Sequence, residues 1–163
     1  MTPEGFNKEL KRLERDFKDL FDKHAPKIAG NTAVSYFKQN FQNEAWGRTK
    51  WKEVQRRTAG SKAYKYAAKH NPARTEHPIL TETGDLGRSI EVKSVTKGQV
   101  VVWTSPSVFR SKEPYGRVHN EGLKAGRGKG FIMPKRQFMG ESDDLNELII
   151  NEIERKLNQL FKK

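Results

Sequence analysis

The side chains that could do chemistry are few, and their spacing fits no metal-binding pattern. The four histidines are His24, His70, His77 and His119, and none stands in a His-Glu-x-x-His sequence. His70 and His77 have no carboxylate at ligand spacing. The chain has no cysteine, which excludes a thiolate metal site. We therefore predict neither a metal nor a cofactor.

Catalytic combinations are equally weak. Asp85, Ser89 and His119 could be combined into a hydrolytic triad, but no Gly-x-Ser-x-Gly turn supports it, and Ser89 is better explained as a turn or strand residue. His119-Asn120 matches a fragment of the His-Asn-His nucleases without the second histidine or its metal ligands. We predict no catalytic residue and no enzyme, and keep a metal-dependent nuclease as the weakest alternative.

A glycine-rich basic stretch, Gly126-Arg-Gly-Lys-Gly130, has the composition of a phosphate-binding loop. Such a loop needs Gly-Lys-Ser/Thr at the start of a helix, whereas Phe131 and a predicted strand follow here. The stretch is better interpreted as a flexible basic loop, either solvated or ordered against a partner.

The positive charge of the chain is concentrated in two segments. The 163 residues carry a net charge of +12. Residues 46–75 hold nine basic side chains and one acidic one, and residues 110–136 hold eight and two. Concentrated basic charge attracts a polyanion or an acidic protein face. The candidate contacts to partner proteins or DNA are Arg48, Arg56, Arg57, Lys62, Arg88, Arg117, Arg127, Lys129, Lys135 and Arg136.

The first of these segments also contains aromatic residues. Trp51, Tyr64 and Tyr66 lie among its cations, a composition that suits phosphate neutralisation and base stacking. Packing of the same rings beneath a solvated loop is equally compatible with the sequence. With little periodicity and few aliphatic residues, we predict basic flexible segments at 46–77 and 109–130, the first of them extended.

The surrounding pattern predicts an α+β fold in one domain, 1–163. Apolar residues at helical spacing predict one helix from Thr2 to Ala25, a break at Pro26 and a second helix to Gln42. Alternation then predicts a β-hairpin at about 89–104 and a short strand at about 131–133 in one small, mostly antiparallel sheet. A C-terminal amphipathic helix begins near Ser142 and packs on that sheet.

The stretch from Leu80 to Ile90 joins the helical part of the sequence to its strands. Gly84 and Gly87 within it are expected to shape the backbone, because glycine adopts angles closed to other residues. Gly122, which closes a short helical turn, and Pro134, which ends the short strand, are expected to do the same.

Three sequence stretches, in this order, resemble the phage virion morphogenesis family. They are the Leu80–Ile90 turn, Tyr115-Gly-Arg-Val-His-Asn-Glu-Gly122 and Pro134-Lys-Arg-Gln-Phe-Met-Gly140, followed by the C-terminal helix. The resemblance covers roughly residues 1–161 in layout. It implies a non-catalytic tail-completion or head–tail joining (neck) protein.

The same resemblance implies assembly into a homo-oligomeric ring, with a hexamer favoured. The partners it implies are other virion proteins: the connector or adaptor, the tail tube and the tail terminator. Non-specific contact with DNA is a further expectation. No apolar run approaches the ~20 residues of a membrane span, so we expect a chain that is present in the host bacterial cytoplasm during assembly and then in the virion. A basic nucleic-acid-binding domain unrelated to virions is the alternative.

Overall fold

The fold was taken from a computed structural model, which describes residues 2–109 and 115–162. The predicted α+β class is confirmed. The α-helices are α1 (Pro3–Asp19), α2 (Ala25–Asn43), α3 (Lys62–His70), α4 (Asp85–Arg88), α5 (Gly116–Glu121) and α6 (Asp143–Leu160). The strands are β1 (Ala45–Trp46), β2 (Thr49–Lys50), β3 (Ile90–Thr96), β4 (Gln99–Thr104), β5 (Lys124–Ala125) and β6 (Phe131–Ile132).

The residues group into two compact units. The first unit contains the chain up to Val34, Val92–Val102 and the chain from Ser142. The second unit contains Ser35–Glu91 and Trp103–Glu141. The basic segments and the three sequence stretches that carry the family resemblance all belong to the second unit.

In the first unit, the predicted break between the two N-terminal helices is wrong. Leu20–His24 form a π-helical turn in which the Ala25 amide donates to the Leu20 carbonyl, so helical structure continues from α1 into α2. Pro26 has no N–H and its ring needs room in the preceding turn. A widened turn directly before it provides that room without ending the helix.

Glycine at position 30 has a packing reason in the same unit. A Cβ atom there would lie 2.7 Å from Cγ2 of Val100 and 3.0 Å from Cγ2 of Val92. Gly30 therefore lets α2 approach the strands closely, and this offsets its low helix propensity. At the end of α6, the ring of Phe161 meets that of Phe17 edge-on, with centroids 5.7 Å apart.

The strands form three separate two-stranded sheets. β3 and β4 make the predicted hairpin around Lys97-Gly98, with Gly98 at φ 67°. The predicted strand near residue 131 exists, but it does not join that hairpin. β6 instead pairs antiparallel with β5, in the register Lys124 to Ile132 and Ala125 to Phe131. The glycine-rich loop is thus the tip of a small hairpin of its own.

The first basic segment is not extended throughout. Lys62–His70 form helix α3, and Ser61 caps its N-terminus, because the Ser61 Oγ accepts the Tyr64 amide at 2.9 Å. Trp51 is buried, as is Ala67 on the inner side of α3. The segment therefore buries apolar side chains, although its few aliphatic residues did not predict that it would.

No helix among the described residues combines the length and the apolar content that crossing a membrane requires.

Candidate functional site

Residues 134–140, the last of the three stretches, form the centre of the second unit. Phe138 is only 1% exposed. Its carbonyl accepts from Nδ2 of Asn40 at 3.2 Å, and the neighbouring Gln137 carbonyl accepts from Nε1 of Trp51 at 2.7 Å. These bonds connect residues 98 and 86 positions apart. The stretch therefore fixes α2 and the β1–β2 region in place.

Asn120 joins the second stretch to the third. Its Oδ1 accepts the backbone amides of Phe138 and Met139, both at 2.9 Å. The amide of Arg136 donates to the His119 carbonyl at 2.8 Å. Two sequence stretches that look independent are thus one hydrogen-bonded element. The polar side chain of Asn120 satisfies backbone donors that would otherwise be left unpaired.

An aromatic cluster surrounds this element. The ring of Phe41 lies 5.1 Å from that of Phe138 and 5.6 Å from that of Trp51, measured between centroids. Phe37 stacks on Trp46 at 6.2 Å. Such ring contacts stabilise the fold beyond what the burial of large apolar side chains contributes. Both tryptophans near the end of α2 therefore serve the core.

Three of the predicted contact residues, one buried and two half-buried, bond to other residues of the second unit. Arg136 is 5% exposed, and its Nε and Nη2 donate to the Lys52 carbonyl at 3.1 and 2.9 Å. Nη2 of Arg56 donates to the carbonyls of His77 and Pro78, both at 2.9 Å. Arg57 pairs with Glu44 at 2.6 Å. These three guanidinium groups hold backbone and carboxylate oxygens of their own chain, so we assign them structural roles.

Glu44 is the acidic counterpart of this arrangement. Its Oε1 accepts the Ile79 amide at 2.6 Å as well as the Arg57 guanidinium. Burial raises the pKa of the Glu44 carboxyl, but the Ile79 and Arg57 bonds outweigh it, and the net pKa is lowered from 4.5. The carboxylate therefore stays charged and keeps the start of the Leu80–Ile90 turn against the end of α2.

The three residues considered for a hydrolytic triad all make contacts within their own chain, and Asp85 pairs with Arg88. Burial, and to a lesser degree the positive charge of Arg136, lower the pKa of His119 below 6.5. Ser89 is fully buried, and its hydroxyl donates to the Leu86 carbonyl at 2.7 Å. Within residues 2–109 and 115–162, no three His, Cys, Asp or Glu side chains cluster closely enough to hold a metal ion.

The four positions expected to shape the backbone divide into two kinds. Gly84 has φ 71° and Gly122 has φ 72°, and a Cβ on Gly122 would lie 3.0–3.1 Å from Lys135. Gly87 has no positive φ, and a Cβ there would meet nothing within 4 Å, so the backbone gives no reason for glycine at that position. Pro134 is separated from β6 by Met133, whose amide still donates to the Leu123 carbonyl at 3.0 Å, and Pro134 has no N–H with which to extend the ladder.

The other predicted contact residues are exposed. Arg88 pairs with Asp85 and Arg117 with Glu121, both within their own short helices. The remaining exposed cations are Arg48, Lys62, Arg127, Lys129 and Lys135. Arg48 lies in the turn between β1 and β2, and Arg127 and Lys129 lie at the tip of the β5–β6 hairpin.

Helix α3 presents a basic outer face that includes an aromatic ring. At roughly 100° per residue, Lys62, Lys65 and Lys69 lie on the side opposite the buried Ala67. None of the three pairs with a carboxylate within 4.0 Å in the described ranges. Tyr66 lies at the edge of this face, one helical turn from Lys62 and from Lys69; it is 64% exposed and its ring is 4.4 Å from that of His70. Of the three aromatics considered for base stacking, Trp51 is buried, Tyr64 is half-buried and Tyr66 is accessible.

Several of these roles had no signal in the sequence. Asn40, Lys52 and Glu44 act through bonds to residues 98, 84 and 35 positions away. No local spacing identifies such pairs. Asn120 stands inside a recognised stretch, but its role depends on the position of residues 138 and 139.

A comparison with protein-family models matches residues 9–158 to the phage virion morphogenesis family. Searches of curated proteins and of solved structures found no match. The matched range contains all three of the sequence stretches described above and nearly the whole chain. The chain therefore belongs to the phage virion morphogenesis family, and its role lies in the assembly of a phage virion.

Proposed function

We propose that this protein is a non-catalytic tail-completion or head–tail joining component of the virion. It assembles as a homo-oligomeric ring, with a hexamer favoured, against other virion proteins such as the connector or adaptor, the tail tube and the tail terminator. One observation supports a structural role above the others. Asn120 and Arg136, polar residues of the characteristic stretches, bond to backbone groups of their own chain and so shape a building block.

The test is removal of the gene from the phage or prophage that encodes it. We expect lysates without infectious particles, and electron microscopy distinguishes the two roles. Separate DNA-filled heads and finished tails indicate joining, whereas absent or irregular tails indicate completion. Restoring the gene in trans must restore particles that contain the chain by mass spectrometry. Normal particle yield without the gene would contradict the proposal.

A second candidate function, non-specific contact with nucleic acid, is favoured by the outer face of α3. Three lysines that pair with no carboxylate of the described residues provide phosphate neutralisation, and Tyr66 provides a ring for stacking. We expect weak duplex binding whose affinity falls steeply as salt rises.

The matched comparison is between two triple variants with the same change in net charge. Lys62→Gln, Lys65→Gln and Lys69→Gln remove the α3 cations. Lys8→Gln, Lys11→Gln and Lys18→Gln remove three cations from α1. Fluorescence anisotropy should show lost binding for the α3 variant and retained binding for the α1 variant. Equal losses would indicate a general charge effect, and absence of binding by the unmodified chain at ~0.15 M salt would remove this candidate.

A further inference from the structure

Helix α1 carries an apolar stripe whose N-terminal half is exposed, whereas Phe17 near its other end meets Phe161. Phe6, Leu10, Leu13 and Phe17 recur at spacings of four and three residues, the pattern of a helix-packing seam. None of the 17 residues of α1 is buried. Phe6 and Leu10 are 56% and 55% exposed. The N-terminal half of the stripe thus presents large apolar side chains to its surroundings, which marks an interaction surface.

Most charges of α1 are sorted around this stripe, with Glu4 and Asp19 as exceptions on the basic face. Glu9 and Asp16 flank it on one side and Glu14 on the other, as the e and g positions flank a heptad seam. The five basic side chains all lie on the opposite face of the helix: Lys8, Lys11, Arg12, Arg15 and Lys18. Arg12 pairs with Glu9 and Arg15 with Asp16 at 4.0 Å, so Glu14 is the border carboxylate that has no ion pair among the described residues. The surface is therefore apolar with an acidic border.

The β5–β6 hairpin has the complementary character. Leu123, Phe131 and Ile132 are 38%, 55% and 71% exposed. In the observed register, Ile132 lies on the face of Lys124 and Phe131 on the face of Ala125, so both faces of the hairpin carry an open apolar side chain. From Leu123 to Lys135 inclusive the chain has four basic residues and no acidic one.

We propose that the apolar stripe of α1 docks on the β5–β6 hairpin of a second copy of this chain. The acidic border of α1 then faces Lys124, Arg127 and Lys129 of the neighbour. Because two different surfaces meet, the contact is head-to-tail: each copy offers α1 to one neighbour and its hairpin to the other. Such contacts close into a ring when the rotation allows it. The inference deepens the proposed structural function and rests on it.

Pairing of α1 with another α1 is less favourable. In a parallel pair, Glu9 at a g position faces Glu14 at the following e position of its partner. An antiparallel pair also brings acidic borders together, because Glu9, Glu14 and Asp16 line both sides of the stripe. Like charges at these positions oppose association, whereas the hairpin supplies the opposite sign.

The test uses the full chain and three sets of substitutions at exposed positions. Phe6→Ser with Leu10→Ser disables the helix surface, and Ile132→Ser disables the hairpin surface. Ile150→Ser is the matched control, since Ile150 is 54% exposed on α6, outside both surfaces. Circular dichroism verifies that each variant is folded. Sedimentation equilibrium then measures self-association over a concentration series.

We expect concentration-dependent oligomers for the unmodified chain and the Ile150→Ser control. Each of the other two variants should associate at least about tenfold more weakly, since each loses large apolar side chains from the contact. An equimolar mixture of the helix variant and the hairpin variant should form dimers and nothing larger. Each mixed pair retains one intact helix surface and one intact hairpin surface, and these can meet only once.

Charge reversal provides a second, independent test of the contact. Glu14→Lys and Lys129→Glu should each weaken association, and the chain carrying both should recover part of it. The proposal is overturned if the unmodified chain stays monomeric at about 1 mM, if either surface variant associates normally, or if the mixture forms no dimer. A chain that is monomeric in solution but is found in particles would remove this contact and leave the structural role in the virion intact, with any ring formed through other surfaces.

Discussion

At the scale of single residues, Asn120 offers the sharpest test of how the second unit is held together. Replacing it with Ala leaves the amides of Phe138 and Met139 without their acceptor. We expect a loss of about 2–4 kcal/mol in the free energy of unfolding, since each unpaired, largely buried donor costs roughly 1–3 kcal/mol. Urea denaturation followed by tryptophan fluorescence measures it.

Asn120→Asp is the matched control, because a carboxylate keeps an oxygen at the position of Oδ1. The Asp variant should lose clearly less stability than the Ala variant. Equal losses in the two variants would mean that the side-chain amide acts through packing and that the two accepted hydrogen bonds contribute little.

His119 predicts a pH dependence of stability. Burial beside Arg136 lowers its pKa in the folded chain below 6.5, its ordinary value. The unfolded chain therefore binds a proton more readily, and the stabilisation present above pH 6.5 is lost as the pH falls through the folded pKa. Urea midpoints between pH 7.5 and 5 should fall less steeply for His119→Gln than for the unmodified chain. Parallel pH profiles would contradict this assignment.

Of the three glycines expected to shape the backbone, Gly84 and Gly122 have a positive φ and Gly87 does not, and the internal cations were not predicted at all. Gly84 and Gly122 could be predicted because a positive φ is a local requirement. Arg136 was expected at a partner or on DNA, and instead it donates to a carbonyl 84 residues away. A sequence gives the charge of an arginine, whereas its burial depends on which distant backbone oxygen the fold brings to it.

At the scale of elements, a glycine at the end of α5 and a glycine in the middle of α4 allow a matched comparison of the same substitution to alanine. Gly122→Ala should destabilise the chain by about 1–3 kcal/mol, because the residue sits at φ 72° and its Cβ would press on the backbone of Lys135. Gly87→Ala should be neutral, or stabilising by up to about 1 kcal/mol, since α4 gains a better helix former in open space.

Thermal unfolding of the two alanine variants compares them directly. A larger loss at position 87 than at 122 would show that the local backbone geometry of these two short helices does not control their tolerance of a side chain.

Elements defined by local pattern could be predicted, and elements defined by pairing could not. The stripe of α6 and the alternation around Lys97-Gly98 fixed their elements within a few residues. β5 has only two residues, Lys124 and Ala125, and neither residue type favours a strand. It exists because β6 pairs with it. The π turn before Pro26 was not predicted for a related reason. Proline indicates that the helix is disturbed, but not whether the helix ends there or continues through a widened turn.

At the scale of the whole molecule, positive charge is divided between structural and accessible positions. The second unit is stabilised by bonds from Arg56, Arg57 and Arg136 to its own residues. The basic side chains on the outer face of α3 and on the β5–β6 hairpin are exposed. The net charge of +12 therefore overstates what a partner meets. An assembly protein benefits from this division, because its rigid part and its contact surfaces can use the same residue types for different purposes.

The same scale carries a prediction about cooperativity. We expect the chain to unfold as the single domain that its sequence predicts, because α2 contributes residues 25–34 to the first unit and 35–43 to the second. All three tryptophans, Trp46, Trp51 and Trp103, belong to the second unit, so fluorescence reports on that unit alone. Far-UV circular dichroism also reports on α1 and α6 of the first unit. Coincident urea transitions from the two signals are expected, and a helical signal that is lost well before or after the fluorescence change would show two separately unfolding parts.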